Sequence, residues 1–264
     1  MSDGVIRNPW SVLRRHTPAR IGLGRSGVSQ PTSVQLEFQV AHAQARDAVH
    51  RPFDHTGVEA AVRAQGLPTL SLHSAAGDRP TYLKRPDLGR RLDDASLAKI
   101  DALDQGRGAD LAVVVADGLS ALAVERHAAP FIALLRSTLG PGWRWAPVSI
   151  VRQGRVAVGD PIGHALGASV VAVLIGERPG LSSPDSMGIY LTWDPKPGRT
   201  DAERNCISNV RPEGLALEAA AERLAWLLNE ARARQLTGVD LKDESVASVA
   251  PLDLKQSFLL RGEP

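Results

Sequence analysis

Three polar segments in the second half of the chain, which we predict to be loops, carry residue types that could bind a ligand. They are "GRVAVGDPIG" (154–163), "GERPGLSSPDS" (176–186) and "ERNCISNVRPEG" (203–214). Glu177 directly follows an apolar run, where a carboxylate is costly to bury unless it is paired. The position of Glu177 therefore predicts an ion pair with Arg178, or a contact with water or with the donors of a ligand. Cys206, the single cysteine, is either a small packed side chain or a ligand contact.

A glycine-rich stretch near the N-terminus suggests a second chemistry, the binding of a dinucleotide. The segment "GLGRSG" (22–27) matches G-x-G-x-x-G, whose glycines must follow a strand and open a helix. The residues before it, "WSVLRRHTPAR", are not typical of a strand, and Pro31 delays the next helix. A glycine-rich loop between helices is therefore the favoured interpretation.

Two further motifs have both a functional and a structural interpretation, and both interpretations stay open. Asp117 in "ADGLS" (116–120) lies where a strand meets a helix, which is where open α/β sheets bind ligands. The same segment could be a simple turn with a helix cap at Ser120. The segment "RPDLGRRL" could bind a phosphate or an acidic partner surface, or form solvated ion pairs. Its arginines are Arg85, Arg90 and Arg91.

Several catalytic arrangements are missing from the sequence. No G-x-S-x-G surrounds Ser182 or Ser183, and neither G-x-x-x-x-G-K-[ST] nor H-E-x-x-H occurs. The histidines and the lone cysteine form no pattern typical of metal ligation. We therefore assign no catalytic residue and no metal site to this chain, and we expect a ligand-binding architecture.

The composition is that of a globular protein with an aliphatic core. Of the 264 residues, 43% are apolar but only 4% are aromatic, so Val, Leu, Ile and Ala must fill the interior. The net charge of +2 gives no reason to expect nucleic-acid binding. No apolar run approaches the roughly 20 residues of a membrane helix, and no secretory signal opens the chain. We expect a cytoplasmic protein that binds neither nucleic acid nor membrane.

The apolar pattern divides the chain into three regions. Residues 1–105 read as helices and loops, with helix candidates at 34–48 and 92–103. Residues 106–242 alternate strands and helices, which predicts an α/β, Rossmann-like three-layer domain with a mostly parallel sheet. Residues 243–264 read as a loose tail. The other candidates are strands at 146–151, 154–158, 170–175 and 187–193, a helix from Ser120 to about 128 that Pro130 restarts or kinks, a short helix with Asp160 as N-cap, and a long helix that starts near 217.

Six segments, taken together, resemble the small subunit (light chain) of ethanolamine ammonia-lyase. The resemblance covers about 9–242, nearly the whole chain, and leaves out the tail. The order of six separate motifs makes it specific. In chain order they are "ARIGLGRSG", "RPDLGRRL", "ADGLSALAV", "GRVAVGDPIG", "VLIGERPGLSSPDS" and "DAERNCISNVRPEG".

The resemblance implies an enzyme that uses adenosylcobalamin to convert ethanolamine to acetaldehyde and ammonia. A large subunit, a TIM barrel, would hold the substrate and the catalytic residues, and the small subunit would pack over the barrel mouth with the cobalamin between them. The family's cobalamin contacts fall on Val156, Glu177 and Cys206. The resemblance further implies a hetero-oligomer that is inactive without its large subunit, and a cytoplasmic location, either free or inside a bacterial microcompartment.

The resemblance also bears on how the cobalt would be ligated. Many cobalamin domains carry D-x-H-x-x-G, whose histidine replaces the cofactor's own base on cobalt. This motif does not occur here, because His164 follows Asp160 by four residues rather than two. We therefore expect base-on binding of adenosylcobalamin, with the dimethylbenzimidazole retained.

Two other functions remain as alternatives. A nicotinamide-dependent Rossmann oxidoreductase would use the glycines of 22–27, and a non-catalytic cobalamin-binding module would capture the cofactor without a large subunit. We also expect the N-terminal region to share its apolar face with the rest of the chain or with the large subunit. It has too little core to stand alone.

Overall fold

The computed structural model describes residues 4–103 and 108–245, which form eight strands and seven α-helices. The strands are β1 (Val5–Ile6), β2 (Arg25–Ser26), β3 (Thr69–His73), β4 (Leu111–Ala116), β5 (Val148–Arg152), β6 (Val170–Gly176), β7 (Met187–Trp193) and β8 (Asn205–Val210). The helices are α1 (Thr32–His50), α2 (His55–Arg63), α3 (Arg79–Lys84), α4 (Asp94–Asp101), α5 (Ala121–Leu139), α6 (Gly159–Ala165) and α7 (Leu217–Arg234).

Six of these strands form one central sheet in the order β3-β5-β4-β6-β7-β8. The first four are parallel, and β7 and β8 are antiparallel to their neighbours. Every residue of β4 and β6 is buried, as expected for strands covered on both faces. The predicted α/β class and mostly parallel sheet are confirmed. The Rossmann-like label is not confirmed, because this strand order is not the doubly wound order 3-2-1-4-5-6.

Helices cover both faces of the sheet and create three layers. Helices α2, α5 and α7 pack on one face in a single aliphatic cluster, whereas α4 and α6 pack on the other face in a second cluster. Helix α5 leaves β4 toward one face, and α6 follows β5 toward the opposite face. The loops after these strands therefore diverge, which opens a crevice at the carboxyl ends of the parallel strands.

Three predictions about local structure in this region are wrong. The segment 154–158 is not a strand, because Val156–Val158 forms a 3-10 turn that leads directly into α6 and buries Val158 under the sheet. The polar segment 203–214 is not only a loop, since it contains β8. Helix α5 continues through the exposed Pro130 to Leu139, so it neither ends near residue 128 nor restarts at this proline.

The N-terminal region contributes a strand that the sequence pattern did not predict. The two predicted helices are confirmed as α1 and α4, but β3 lies between them and pairs in parallel with β5 at the edge of the main sheet. Large apolar side chains remain exposed here, including Trp10 and Phe38. The division near residue 105 stays a prediction, and the tail prediction concerns residues that mostly lie outside the described part of the chain.

Candidate functional site

A cavity of about 410 Å³ lies at the carboxyl ends of β4 and β6 and beside the turn that follows β5. Two of the three predicted cofactor contacts, Val156 and Glu177, line it, and the third, Cys206, lies just outside it. The structure therefore brings together segments that lie far apart in the chain, from Tyr82 to Tyr190. The lining residues are Tyr82, Gly118, Leu119, Arg155, Val156, Ile175, Gly176, Glu177, Arg178 and Tyr190.

Two glycines let the loops after β4 and β6 meet at the floor of the cavity. Gly118 has a φ of +54°, and a Cβ there would lie 2.2 Å from the Gly176 carbonyl oxygen. A Cβ on Gly176 would lie 2.0 Å from the Ser120 carbonyl oxygen. The amide of Leu119 donates to the Gly176 carbonyl at 2.8 Å. The close packing of the two loops therefore explains why position 176 is a glycine.

Asp117 connects the loop after β4 to the loop after β5. Its Oδ1 accepts from the Gly154 amide at 3.1 Å, and its Oδ2 lies 3.3 Å from Nη1 of Arg79. The same Nη1 donates to the Gly118 carbonyl at 2.8 Å and to the Gln153 side chain at 3.2 Å. Burial raises the pKa of Asp117 to about 6, although the Arg79 guanidinium opposes this shift. Asp117 therefore holds together two of the loops that border the cavity. Ser120 is the N-cap of α5, as the structural interpretation predicts.

Val156 presents an apolar edge to the cavity, and a ring between two guanidinium groups lies beside it. The Tyr82 ring is 4.2 Å from the guanidinium carbon of Arg155 and 4.8 Å from that of Arg79. The Tyr82 hydroxyl donates to the Gly154 carbonyl at 3.1 Å, and burial raises its pKa. Nε of Arg155 is buried and has no hydrogen-bond partner among the described residues. Arg155 as a residue lines the cavity, so its guanidinium brings N–H donors to this wall.

Glu177 offers an acceptor on another wall of the same cavity. Its Oε2 accepts from the Ser186 hydroxyl at 2.5 Å and from the Asn209 backbone amide at 3.1 Å. Within the described residues its Oε1 has no hydrogen-bond partner, and no cation pairs with the carboxylate. The predicted alternative of an ion pair with Arg178 is wrong, because the Arg178 side chain is exposed and makes no such contact.

Cys206 lies on β8 directly opposite Tyr190 of β7. Tyr190 lines the cavity, so Cys206, which is exposed, lies beside the cavity wall through this cross-strand pair. Desolvation raises the pKa of the Cys206 thiol, which the Tyr190 bond partly offsets and the Glu177 charge reinforces. Desolvation also raises the pKa of Tyr190. These shifts favour the protonated form of the Cys206 thiol, which lies exposed at the surface of the chain.

Two carboxylates near the site have roles that the sequence did not predict. Asp160 is not the N-cap of α6, which has no side-chain cap; it forms a buried ion pair with Arg204. Asp185 does more than make a turn bond, since its Oδ2 accepts from Arg126 at 2.9 Å and its Oδ1 lies 3.2 Å from Nη1 of Arg211. Both pairs hold segments that border the cavity.

The arginines of 85–92 and the glycines of 22–27 do not line this cavity, although the Gly89 carbonyl accepts from the Arg155 amide at 2.7 Å. Arg85 forms an exposed pair with Asp87, as the structural interpretation predicts. Arg90 and Arg91 line a separate open cavity of about 760 Å³. The glycines of 22–27 surround β2 of a two-stranded ribbon, several residues before α1, so they neither follow a sheet strand nor open a helix.

Sequence reasoning missed Tyr82, Arg155 and Tyr190 as lining residues. Arg155 immediately precedes Val156, and Tyr190 belongs to a predicted strand. The sequence therefore did not show that their side chains line the cavity. Over residues 4–103 and 108–245, no group of three His, Cys, Asp or Glu side chains could hold a metal ion. In the same part of the chain, none of the helices has the length and hydropathy needed to cross a membrane.

Comparison with known proteins gives a consistent result over almost the whole chain. The family described as "Ethanolamine ammonia-lyase light chain (EutC)" matches residues 7–242. A protein of Pseudomonas fluorescens strain Pf-5, named ethanolamine ammonia-lyase small subunit, is 59% identical over 96% of this chain and 95% of its own length. A protein of Ralstonia nicotianae with the same name is 59% identical over 97% of this chain and 96% of its own length. Another, from Pseudomonas aeruginosa strain LESB58, is 58% identical over 96% of this chain and 93% of its own length. The chain therefore belongs to the ethanolamine ammonia-lyase light-chain family.

Proposed function

We propose that this chain holds one edge of adenosylcobalamin in the cavity between β4, β6 and the turn at Val156–Val158. The single observation that carries the proposal is the arrangement of the cavity walls. Oε1 of Glu177 is an acceptor without a partner among the described residues, the Arg155 side chain on another wall carries N–H donors, and Val156 next to Arg155 supplies an apolar edge. A corrin ring has apolar edges and peripheral amides, so it needs both an acceptor and a donor for these amides.

The size of the cavity supports binding at an interface. A volume of about 410 Å³ lies near the lower end of the roughly 300–1,000 Å³ typical of pockets for drug-sized ligands. A corrinoid is larger than such ligands, so this chain can enclose only part of it. We infer that the large subunit, which the family resemblance implies is a TIM barrel, supplies the opposite wall of the cofactor site.

The proposed division of labour follows from the residues of the cavity. When bound, the cofactor supplies a cobalt–carbon bond that breaks homolytically and so begins radical chemistry on the substrate. Glu177 accepts from a corrin amide, Arg155 donates to an amide carbonyl, and Val156 excludes water from the ring edge. Cys206, with its raised thiol pKa, contacts the cofactor as a neutral side chain in this proposal. The substrate and the catalytic residues belong to the large subunit in this proposal.

Two observations support base-on binding. His164 lies on the exposed side of α6, and Asp160, which would have to orient it, is committed to Arg204. Among the described residues, no histidine lines the cavity. Nitrogen-15 labelling of the histidines, followed by EPR of the cob(II)alamin form, tests this proposal. We expect the hyperfine splitting to be independent of that label, and splitting that responds to it would contradict base-on binding.

Reconstitution tests the function as a whole. We expect no ethanolamine-dependent aldehyde from the purified chain, and we expect aldehyde once the large subunit and adenosylcobalamin are added. Turnover by the isolated chain, or no turnover by the reconstituted pair, would contradict the proposal. Capture of cobalamin without any association with the large subunit would instead favour a non-catalytic binding module.

The nicotinamide-dependent alternative finds no support in the geometry. Its fingerprint needs glycines between a sheet strand and a helix, but Gly22 and Gly24 pack against the backbone of Ser11 and Ile6 in the N-terminal ribbon. We expect no change in NADH fluorescence when the chain is added. Tight NADH binding would restore this alternative.

A further inference from the structure

We propose that Ser186 and Asn209 are positioning residues that fix the Glu177 carboxylate so that only its Oε1 faces the ligand. This inference rests on the proposed function, since it concerns the same cavity. The Ser186 side chain is buried and its hydroxyl donates to Oε2 of Glu177 at 2.5 Å. The Asn209 backbone amide donates to the same oxygen at 3.1 Å. Both donors therefore occupy Oε2 and leave Oε1 without a partner among the described residues.

A β-bulge aims the Asn209 amide at Glu177. Met187 pairs with Val210 and Ile189 pairs with Ile207, so two residues of β8 lie opposite the single residue Gly188. A bulge of this kind turns the backbone and re-aims the groups that it carries. Asn209 has a φ of +58°, a left-handed conformation that Asn tolerates better than most residues. The distortion thus lies at Asn209, the residue whose backbone amide contacts the Glu177 carboxylate.

Gly188 of β7 leaves space for the carboxylate of Glu177, the residue that directly follows the neighbouring strand β6. A Cβ at this position would lie 3.0 Å from Oε1 and 3.1 Å from Cγ of Glu177. Gly188 has no positive φ, so its lack of a side chain is explained by this contact and not by its backbone conformation. A glycine inside a strand often marks a close approach of another group. The strand, the bulge and Ser186 therefore form a seat for Glu177.

Removal of the Ser186 hydroxyl or displacement of the Asn209 amide should allow the Glu177 carboxylate to rotate. This rotation should lower the affinity of the complex for cobalamin. The probe is cyanocobalamin, titrated by absorbance into the complex of this chain with its large subunit. We expect Ser186→Ala to raise the Kd about ten-fold, which corresponds to roughly 1.4 kcal/mol. Ser208→Ala is the matched control, because Ser208 is an exposed serine in the same bulge, and it should leave the Kd unchanged.

The Glu177→Gln background separates positioning from a general structural role. If Ser186 acts through Glu177, then Ser186→Ala should add little to the Kd of Glu177→Gln, because contacting residues are not additive. An equal ten-fold effect in both backgrounds would overturn the proposal. So would a Kd for Ser186→Ala equal to that of the unchanged chain. The thermal midpoint and the association with the large subunit are measured for each variant, so that misfolded variants are recognised.

Variants at Asn209 test the backbone contribution. Asn209→Gly retains the amide and the left-handed conformation, so it should bind cyanocobalamin as tightly as the unchanged chain. Asn209→Val disfavours this conformation and should weaken binding. Equal affinities of the two variants would contradict the role of the bulge. If the unchanged complex binds no cyanocobalamin, the proposed function itself fails, which differs from a failure of positioning alone.

Discussion

Removal of the Asp160 carboxylate should destabilise this protein far more than removal of an exposed one. Oδ1 and Oδ2 of Asp160 accept from Nη1 and Nη2 of Arg204 at 2.7 and 2.6 Å, so the pair is bidentate. The two side chains are 1% and 2% exposed. The pair joins α6, whose preceding turn carries Val156, to the residue just before β8, which carries Cys206. It therefore fixes two walls of the proposed site.

The expected magnitude follows from the burial of the pair. Asp160→Ala removes the buried bidentate partner of the Arg204 guanidinium and leaves it the exposed Asp201 at 3.5 Å; the loss of one partner of a buried pair costs about 3–5 kcal/mol. In a chain of this size each kcal/mol lowers the unfolding midpoint by about 2–4 °C, so we expect a decrease of roughly 6–20 °C. Replacing both partners, as in Asp160→Leu with Arg204→Met, should restore most of the loss because no buried charge remains.

Thermal unfolding followed by circular dichroism at a fixed scan rate measures these differences. Glu230→Ala is the control, because Glu230 and Arg234 form an ion pair one helical turn apart that is 29% and 48% exposed. Such a pair should contribute less than about 1 kcal/mol. If Asp160→Ala and Glu230→Ala shift the midpoint equally, or if the double variant is less stable than Asp160→Ala, the reasoning about the buried pair is wrong.

Three further predictions concern the floor and the rim of the cavity. Because burial raises the pKa of Asp117 to about 6, the folded chain takes up a proton between pH 7 and pH 5 while the unfolded chain does not. In urea unfolding the unchanged chain should therefore gain about 1 kcal/mol relative to Asp117→Asn as the pH falls over this interval, and a constant difference would contradict this. Gly118→Ala places a Cβ 2.2 Å from a carbonyl oxygen at a φ of +54° and should cost at least about 2 kcal/mol, whereas Gly142→Ala, in open space, should cost less than about 1 kcal/mol. Desolvation raises the pKa of Cys206, so at pH 7 it should react with iodoacetamide more slowly than free cysteine; equal rates would refute this.

The main elements of the sheet could be predicted from the sequence because their strands are buried on both faces. The apolar runs of β4 and β6 leave few alternatives, and the glycines and prolines after β6 mark the start of a loop. The position of Glu177 beside a cavity follows from this pattern together with the rule for ligands in α/β sheets. Its identity as a family contact came from the resemblance.

Edge strands and long-range pairs could not be predicted in the same way. In β8 only Ile207 and Val210 are buried, and the bulge between them breaks the alternation that marks a strand. The turn at Val156–Val158 has the composition of a strand but continues into α6. The Asp160–Arg204 pair joins residues 44 positions apart, and no local pattern indicates such a contact.

The affinity of the reconstituted complex for cobalamin tests the central claim most directly. Adenosylcobalamin is titrated in the dark into the large subunit combined with the unchanged chain, with Glu177→Gln or with Glu218→Gln, which alters an exposed glutamate at the start of α7. We predict saturable binding that Glu177→Gln weakens at least about ten-fold and that Glu218→Gln leaves unchanged. Equal affinities for all three complexes, or binding by the large subunit alone with the same affinity, would contradict the assignment of this cavity to the cofactor.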